Sequence, residues 1–60
     1  MSRPDAVEVG GTYEYRCTPL VVDAISPDGA TVQTHRQGRP DLTNIFPMRD
    51  FLYWTTRRIN

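Results

Sequence analysis

The chain has no lysine, and its 60 residues include only one cysteine, one histidine and one tryptophan. With Cys17 alone, a disulfide within the chain is excluded. Cys17 and His35 also lack the paired spacing that a zinc site needs, so we expect no metal and no other cofactor. A domain this small then depends on a compact core or on self-association for its stability.

Groups suited to catalysis are equally scarce. His35 has no obvious nucleophile beside it, because Ser2 falls in the N-terminal tail and Ser26 falls in a turn. The pair Gly10-Gly11 precedes a strand and not a helix, so it does not have the spacing of a phosphate-binding loop. We therefore expect that the protein is not an enzyme.

The sequence also lacks a long apolar run. Met1-Ser-Arg-Pro-Asp5 has no apolar stretch after its basic residue, as a secretory signal would. No segment approaches the roughly 20 apolar residues of a membrane-spanning helix. Together with the lone thiol, this predicts a cytoplasmic protein that does not bind a membrane.

The chain has no excess of positive or negative charge as a whole, but its two halves carry opposite net charges. The net charge is zero, yet residues 1–30 hold two arginines and five acids, and residues 31–60 hold five arginines and two acids. Arginine suits carboxylates, phosphates and aromatic faces. An all-arginine set of cations is equally typical of a GC-rich genome.

What the sequence does contain is a series of short segments rich in β-branched and aromatic residues. These segments are Tyr13–Cys17, Leu20–Ile25, Ala30–Arg36, Leu42–Phe46 and Phe51–Thr56. The turn residues between them are Thr18-Pro19, Ser26–Gly29, Gln37–Asp41 and Pro47–Asp50. The pattern predicts an all-β fold, a small five-stranded SH3-like barrel with one 3₁₀ turn at Pro47–Asp50 before the last strand.

We expect one domain over residues 12–60, preceded by a flexible tail over residues 1–11. Residues 1–6 should be loosely held, and Val7 with Val9 could add a short strand. In the third strand the apolar side is weak, so we expect this strand to face water. A barrel this small has little interior to spare, and its activity must therefore come from its outer surface or its edges.

The C-terminal stretch from Tyr53 to Ile59 is the best candidate interaction edge. If Tyr53 faces the core, Trp54 is exposed beside Arg58, and in the opposite orientation Tyr53 and Arg57 are exposed. Tryptophan and arginine are enriched among residues that dominate binding energy, and an unpaired last strand can add to a partner's sheet. The predicted partner-binding residues are Trp54, Tyr53, Arg57, Arg58, Arg36 and Arg39.

The order of residues over about 12–58 resembles small domains of unknown function encoded in phages and prophages. The positions that carry the resemblance are Tyr15-Arg16, Val21-Val22, Ile25, Asp28-Gly29, Val32, Arg36-x-Gly38, Pro47, Phe51 and Thr56-Arg57. The resemblance implies a phage-type accessory protein without a defined chemistry. The small size of the chain, its lack of catalytic groups and its uneven charge lead us to expect that this protein of phage or mobile-element origin binds and modulates a host protein or protein complex, for example as an inhibitor. A homo-oligomer is compatible with this role.

A second resemblance is to the plasmid-borne type II dihydrofolate reductases, which are SH3-like barrels assembled as tetramers around one pore. Thr43-Asn-Ile-Phe-Pro47 is similar to their Val-Gln-Ile-Tyr-Pro segment, and the ending Arg58-Ile-Asn60 is like theirs. Asn44 stands in place of the pore glutamine, Phe46 in place of the tyrosine, and Tyr15 about where a pore lysine is expected. This resemblance implies an enzyme of that type as one alternative function.

The other alternative is nucleic-acid binding. Aromatic residues lie near the arginines of the second half of the chain, and such surfaces stack on bases and contact phosphates. A neutral chain, however, lacks the excess positive charge that is usual in nucleic-acid-binding proteins.

Overall fold

The computed structural model describes residues 6–60 as one antiparallel sheet crossed by a short helix. The elements are β1 (Thr12–Tyr15), β2 (Thr18–Ile25), β3 (Thr31–Arg36), β4 (Arg39–Pro47), α1 (Met48–Trp54) and β5 (Thr55–Arg58). Their order in the sheet is β4-β3-β2-β1-β5. The predicted all-β class with five strands is confirmed, and the structure pairs the last strand with β1. The sheet is not closed into a barrel, because β4 and β5 are its two edges and do not pair with each other.

The connection between β4 and β5 differs from the prediction. A seven-residue α-helix, Met48–Trp54, stands where a 3₁₀ turn was expected, and the last strand begins at Thr55 instead of Phe51. α1 lies in the connection from one edge strand of the sheet to the other, and it carries Phe51 into the core. The aromatic composition of this stretch favoured a strand, but tertiary packing overrides such local preferences.

No helix within residues 6–60 has the length and apolar character needed to cross a membrane.

The core lies on the face of the sheet that α1 covers, which we call the inner face. Its buried apolar side chains are Tyr13, Leu20, Val22, Val32 and Phe51. The Phe51 ring centroid lies 5.9 Å from that of Tyr13, 5.6 Å from Tyr15 and 5.8 Å from Phe46. The expectation that the third strand faces water was wrong for this face. Val32 is buried because β3 lies between two neighbouring strands beneath α1.

The described part of the N-terminal segment runs beside β2. Gly10 N donates to Val22 O, and Val22 N donates to Gly11 O, each at 2.9 Å. Glu8 N donates to the Tyr13 hydroxyl at 2.9 Å, and a Cβ at Gly11 would lie 2.8 Å from the Tyr13 ring. Val7 packs against the core. The expectation of a loosely held start falls mainly on residues 1–5, which lie outside the described residues.

The turn at residues 26–29 forms as the sequence predicts. Ser26 Oγ donates to Asp28 Oδ1 at 2.6 Å, and the same carboxylate accepts a hydrogen bond from Ala30 N at 3.0 Å. Gly29 has a φ of 74°, the left-handed conformation that glycine adopts without strain. The hydrogen bond from Ser26 holds the pKa of Asp28 below its ordinary value.

Candidate functional site

The two predicted aromatic residues lie together at the C-terminal end of α1. Tyr53 is 61% exposed and Trp54 is 44% exposed. Their rings meet edge to face, with centroids 4.9 Å apart. Sequence reasoning treated these residues as neighbours on a strand, where one would be exposed and the other buried. The end of a helix instead exposes both of them.

Arg16 joins the two aromatic residues from the turn between β1 and β2. Its guanidinium carbon lies 4.9 Å from the centre of the Trp54 ring, and its backbone N–H donates to Trp54 O at 3.4 Å. A cation over an aromatic face is attracted by the electrons of the ring. Arg16, Tyr53 and Trp54 form one surface, which we call the tryptophan surface.

The turn that presents Arg16 is strained. Arg16 and Cys17 both have positive φ, 48° and 67°, in a two-residue hairpin that connects Tyr15 to its partner Thr18. This is the pattern of a type I′ turn, which normally takes Asn-Gly or a related pair. Residues held in rarely populated backbone conformations are concentrated at functional sites.

Sequence reasoning missed Arg16 because it placed this turn at Thr18-Pro19. The pair Arg16-Cys17 carries no turn signal, whereas Pro19 does. The structure accommodates Pro19 in β2, opposite Glu14, near the end of β2 that extends beyond β3. Neither composition nor spacing identified this part of the site.

Arg57 and Arg58 lie on β5 and are both engaged in ion pairs. Arg57 Nε donates to Glu14 Oε1 at 2.9 Å, and this hydrogen bond holds the pKa of Glu14 below its ordinary value. Arg58 pairs with Glu8, which raises the pKa of the guanidinium, and it lies 5.7 Å from the centre of the Tyr13 ring. In one of the two orientations considered from the sequence, Trp54 was exposed beside Arg58. In the structure Trp54 is exposed, and Arg16 packs on its ring.

Arg36 and Arg39 lie at the other side of the sheet, where β3 turns into β4. Arg39 pairs with Asp41 at 3.1 Å. Arg36 is opposite Leu20, Leu20 is opposite Tyr13, and Tyr13 is opposite Arg58. Three strand spacings therefore separate Arg36 from Arg58, roughly 14 Å along the sheet. The six predicted residues do not form one patch.

Two other features could suggest chemistry. His35 Nδ1 lies 2.7 Å from Asp23 Oδ1 on the face opposite α1, and both side chains are partly exposed. A shallow groove beside the start of α1 is lined by Gly29, Ala30, Pro47, Met48, Arg49 and Asp50. Over residues 6–60 no group of three or more His, Cys, Asp or Glu side chains is arranged to hold a metal ion. The tryptophan surface remains the most distinctive site.

We compared the chain with models of known protein families, with curated proteins and with solved structures, and no match was found. The two family resemblances that the sequence suggests therefore stay expectations.

Proposed function

We propose that this protein is a small non-enzymatic binding module that contacts another protein through the tryptophan surface. The observation that carries the proposal is the exposure of Tyr53 and Trp54 side by side, with Arg16 packed on the tryptophan. The proposed partner is a host protein or protein complex, which the module modulates. The small size of the chain, its lack of catalytic groups and its uneven charge support this choice of partner.

The placement of the aromatic residues supports this proposal. Tyr13, Tyr15, Phe46 and Phe51 pack against one another on the inner face, where a small domain needs all the apolar area it can bury. The single tryptophan could add a large area to that core, yet 44% of it is exposed. Tryptophan, tyrosine and arginine are the residue types that contribute most to interface energies.

The chemistry of the surface indicates the kind of partner. Two rigid rings offer apolar contact area at a low cost in conformational entropy, and the Arg16 guanidinium offers forked donors for a carboxylate. An apolar pocket or ridge with an acidic group at its rim would match both features. Arg57, Arg58 and Arg39 contribute less than the sequence suggested, because acidic side chains of the same chain already pair with them.

A capture experiment with matched variants tests the proposal. Tagged wild-type protein, Trp54→Ala and Ile59→Ala are incubated with lysates of candidate bacterial hosts, and retained proteins are identified by mass spectrometry. Ile59 is the control because it is 42% exposed, close to the value for Trp54, but lies beyond β5. We expect Trp54→Ala to weaken capture of the partner at least about 30-fold, as loss of a hot-spot residue does, and Ile59→Ala to leave it unchanged.

Retention of the same proteins by Trp54→Ala would contradict the proposal. A parallel titration with labelled single- and double-stranded DNA and RNA at several salt concentrations tests the alternative of nucleic-acid binding. Affinity that falls steeply with salt would point to phosphate contacts and favour that alternative. We expect no such binding, since ion pairs within the chain already engage Arg39, Arg57 and Arg58.

A further inference from the structure

The outer side of β4 is an open pairing edge. Within residues 6–60, this nine-residue strand has β3 on one side and no strand on the other, and every side chain on it except that of Phe46 is exposed. Ile45 is 68% exposed and Leu42 is 38% exposed. Between Leu42 and Phe46 there is neither a charged residue nor a proline, the devices with which proteins usually block an exposed edge.

The hydrogen bonds of the β3–β4 ladder show which backbone groups of β4 face outward. Met48 N donates to Ala30 O at 2.8 Å, one step beyond the pair Thr31–Pro47. Hydrogen-bonded and non-hydrogen-bonded pairs alternate along an antiparallel ladder, so Pro47 and then Ile45 and Thr43 direct their backbone groups away from β3. The hydroxyl of Thr34, 3.4 Å from Asn44 O, agrees with Asn44 facing β3. The backbone N–H and C=O of Thr43 and Ile45 are thus available to another strand.

We propose that β4 pairs antiparallel with β4 of a second copy of this chain, with the two Asn44 residues opposite each other on the two-fold axis. In this register Thr43 and the partner's Ile45 exchange backbone hydrogen bonds in both directions. On the inner face, Leu42 lies opposite the partner's Phe46, and the same contact recurs on the other side of the axis. The two sheets then form one continuous sheet.

The sequence of β4 argues for a second copy as the occupant. When two copies of the segment Leu42–Phe46 run antiparallel about Asn44, the apolar Leu42 of each copy lies opposite the apolar Phe46 of the other on the inner face. An isologous interface requires this kind of self-complementarity. Centring the pairing on Thr43 would also align the outward backbone groups, but it would set Ile45 opposite the partner's Asp41. The register centred on Asn44 avoids that mismatch and sets no charge opposite a like charge.

The expected strength follows from the size of the contact. Edge-to-edge pairing of a few residues buries less than the roughly 1,200 Å² of a stable standard interface. We therefore expect a dimer that forms reversibly and depends on protein concentration. It leaves the tryptophan surface accessible, because Trp54 precedes β5 at the opposite edge of the sheet.

Site-specific crosslinking tests the register. Residues of a non-hydrogen-bonded antiparallel pair have Cα atoms about 4.5 Å apart, which suits a disulfide. In a Cys17→Gly background, we expect Asn44→Cys to form a covalent dimer under mild oxidation far faster than Thr43→Cys. Faster crosslinking of Thr43→Cys would overturn the proposed register.

Sedimentation equilibrium tests the dimer itself, with circular dichroism as the check that each variant is folded. Ile45→Lys places a charge on the edge, and we expect it to weaken self-association at least about tenfold. A wild-type protein that stays monomeric up to millimolar concentration, or an assembly unaffected by Ile45→Lys, would overturn the dimer. The inference does not rest on the proposed function, since capture by the tryptophan surface should be the same for Ile45→Lys and wild type.

Discussion

The two edges of the sheet are protected to very different degrees. β5 has four residues, and its two arginines pair with Glu14 and Glu8 of neighbouring segments. β4 has nine residues, and over its second half it presents Ile45 and open backbone groups. Long-range ion pairs therefore tie one edge into the fold while the other remains free to recruit a strand. An open sheet can specialise its edges in a way that a closed barrel cannot.

Phe51 links the two edges, and its loss should have the largest effect. Its ring contacts Tyr15 on the β5 side and Phe46 on the β4 side, and it is fully buried. Phe51→Ala should destabilise the protein by about 3–5 kcal/mol, enough to unfold a domain of this size. Urea unfolding followed by circular dichroism measures the change.

The neighbouring residue provides the control for Phe51. Tyr53→Ala changes a side chain that is 61% exposed on the same helix, so the expected change is within about 0.5 kcal/mol. A Phe51→Ala variant that unfolds cooperatively with an almost unchanged midpoint would show that α1 does not hold the edges together.

Two buried threonines, one near each edge of the sheet, differ in whether their hydroxyl groups are hydrogen-bonded. Thr55 Oγ1, on the β5 side, is fully buried and has no hydrogen-bond partner within residues 6–60. Thr34 Oγ1, on β3 beside β4, donates to Asn44 O at 3.4 Å. Thr55→Val should stabilise by about 1–2 kcal/mol, because an unsatisfied buried hydroxyl is replaced by a methyl group. Thr34→Val should gain less, and a larger gain at Thr34 in denaturant unfolding would contradict this account.

The two short hairpins should respond to substitution with opposite signs. Cys17 has a φ of 67° in the β1–β2 turn, whereas Gly38 has a φ of 81° in the β3–β4 turn. Cys17→Gly removes strain and should stabilise by about 1 kcal/mol, and Gly38→Ala adds strain and should destabilise by a similar amount. Thermal melts should show shifts of about 4–8 °C in opposite directions. Shifts of the same sign would contradict the strain argument.

The ion pair on β5 should make the smallest contribution, visible only at acidic pH. The hydrogen bond from Arg57 lowers the pKa of Glu14 in the folded protein. The unfolded chain therefore binds the proton more readily, so the contribution is present above the ordinary pKa of a glutamate and is lost as the pH falls through the lowered value. Glu14→Gln should flatten the decline of the melting temperature below about pH 5.

The pair near β4 gives the matched comparison. Arg39 lowers the pKa of Asp41, but these residues are two positions apart and can also meet in the unfolded chain. We therefore expect Asp41→Asn to change the acid dependence less than Glu14→Gln. An equal change in the two variants would show that the long-range pair has no special role.

Prediction from the sequence succeeded where the signal is local. Pro27, Asp28 and Gly29 identify their turn because each has a specific role in turn geometry. The helix was missed because Phe51–Trp54 has strand-like composition, and only the path between the two edges makes it helical. Arg16 was missed because the nearby pair Thr18-Pro19 carries a stronger turn signal than Arg16-Cys17, the residues that form the turn. Tyr53 and Trp54 were predicted as contact residues, and the structure exposes both.

Local sequence patterns were enough to predict the all-β class, the number of strands and the position of the hairpin at residues 26–29, since two-residue periodicity and turn chemistry act between near neighbours. It took the folded chain to show that the sheet stays open, that α1 carries Phe51 inward and Trp54 outward, and that Arg16 contacts the tryptophan. These outcomes depend on the energies of contacts between residues far apart in the chain, and local sequence patterns do not predict those energies.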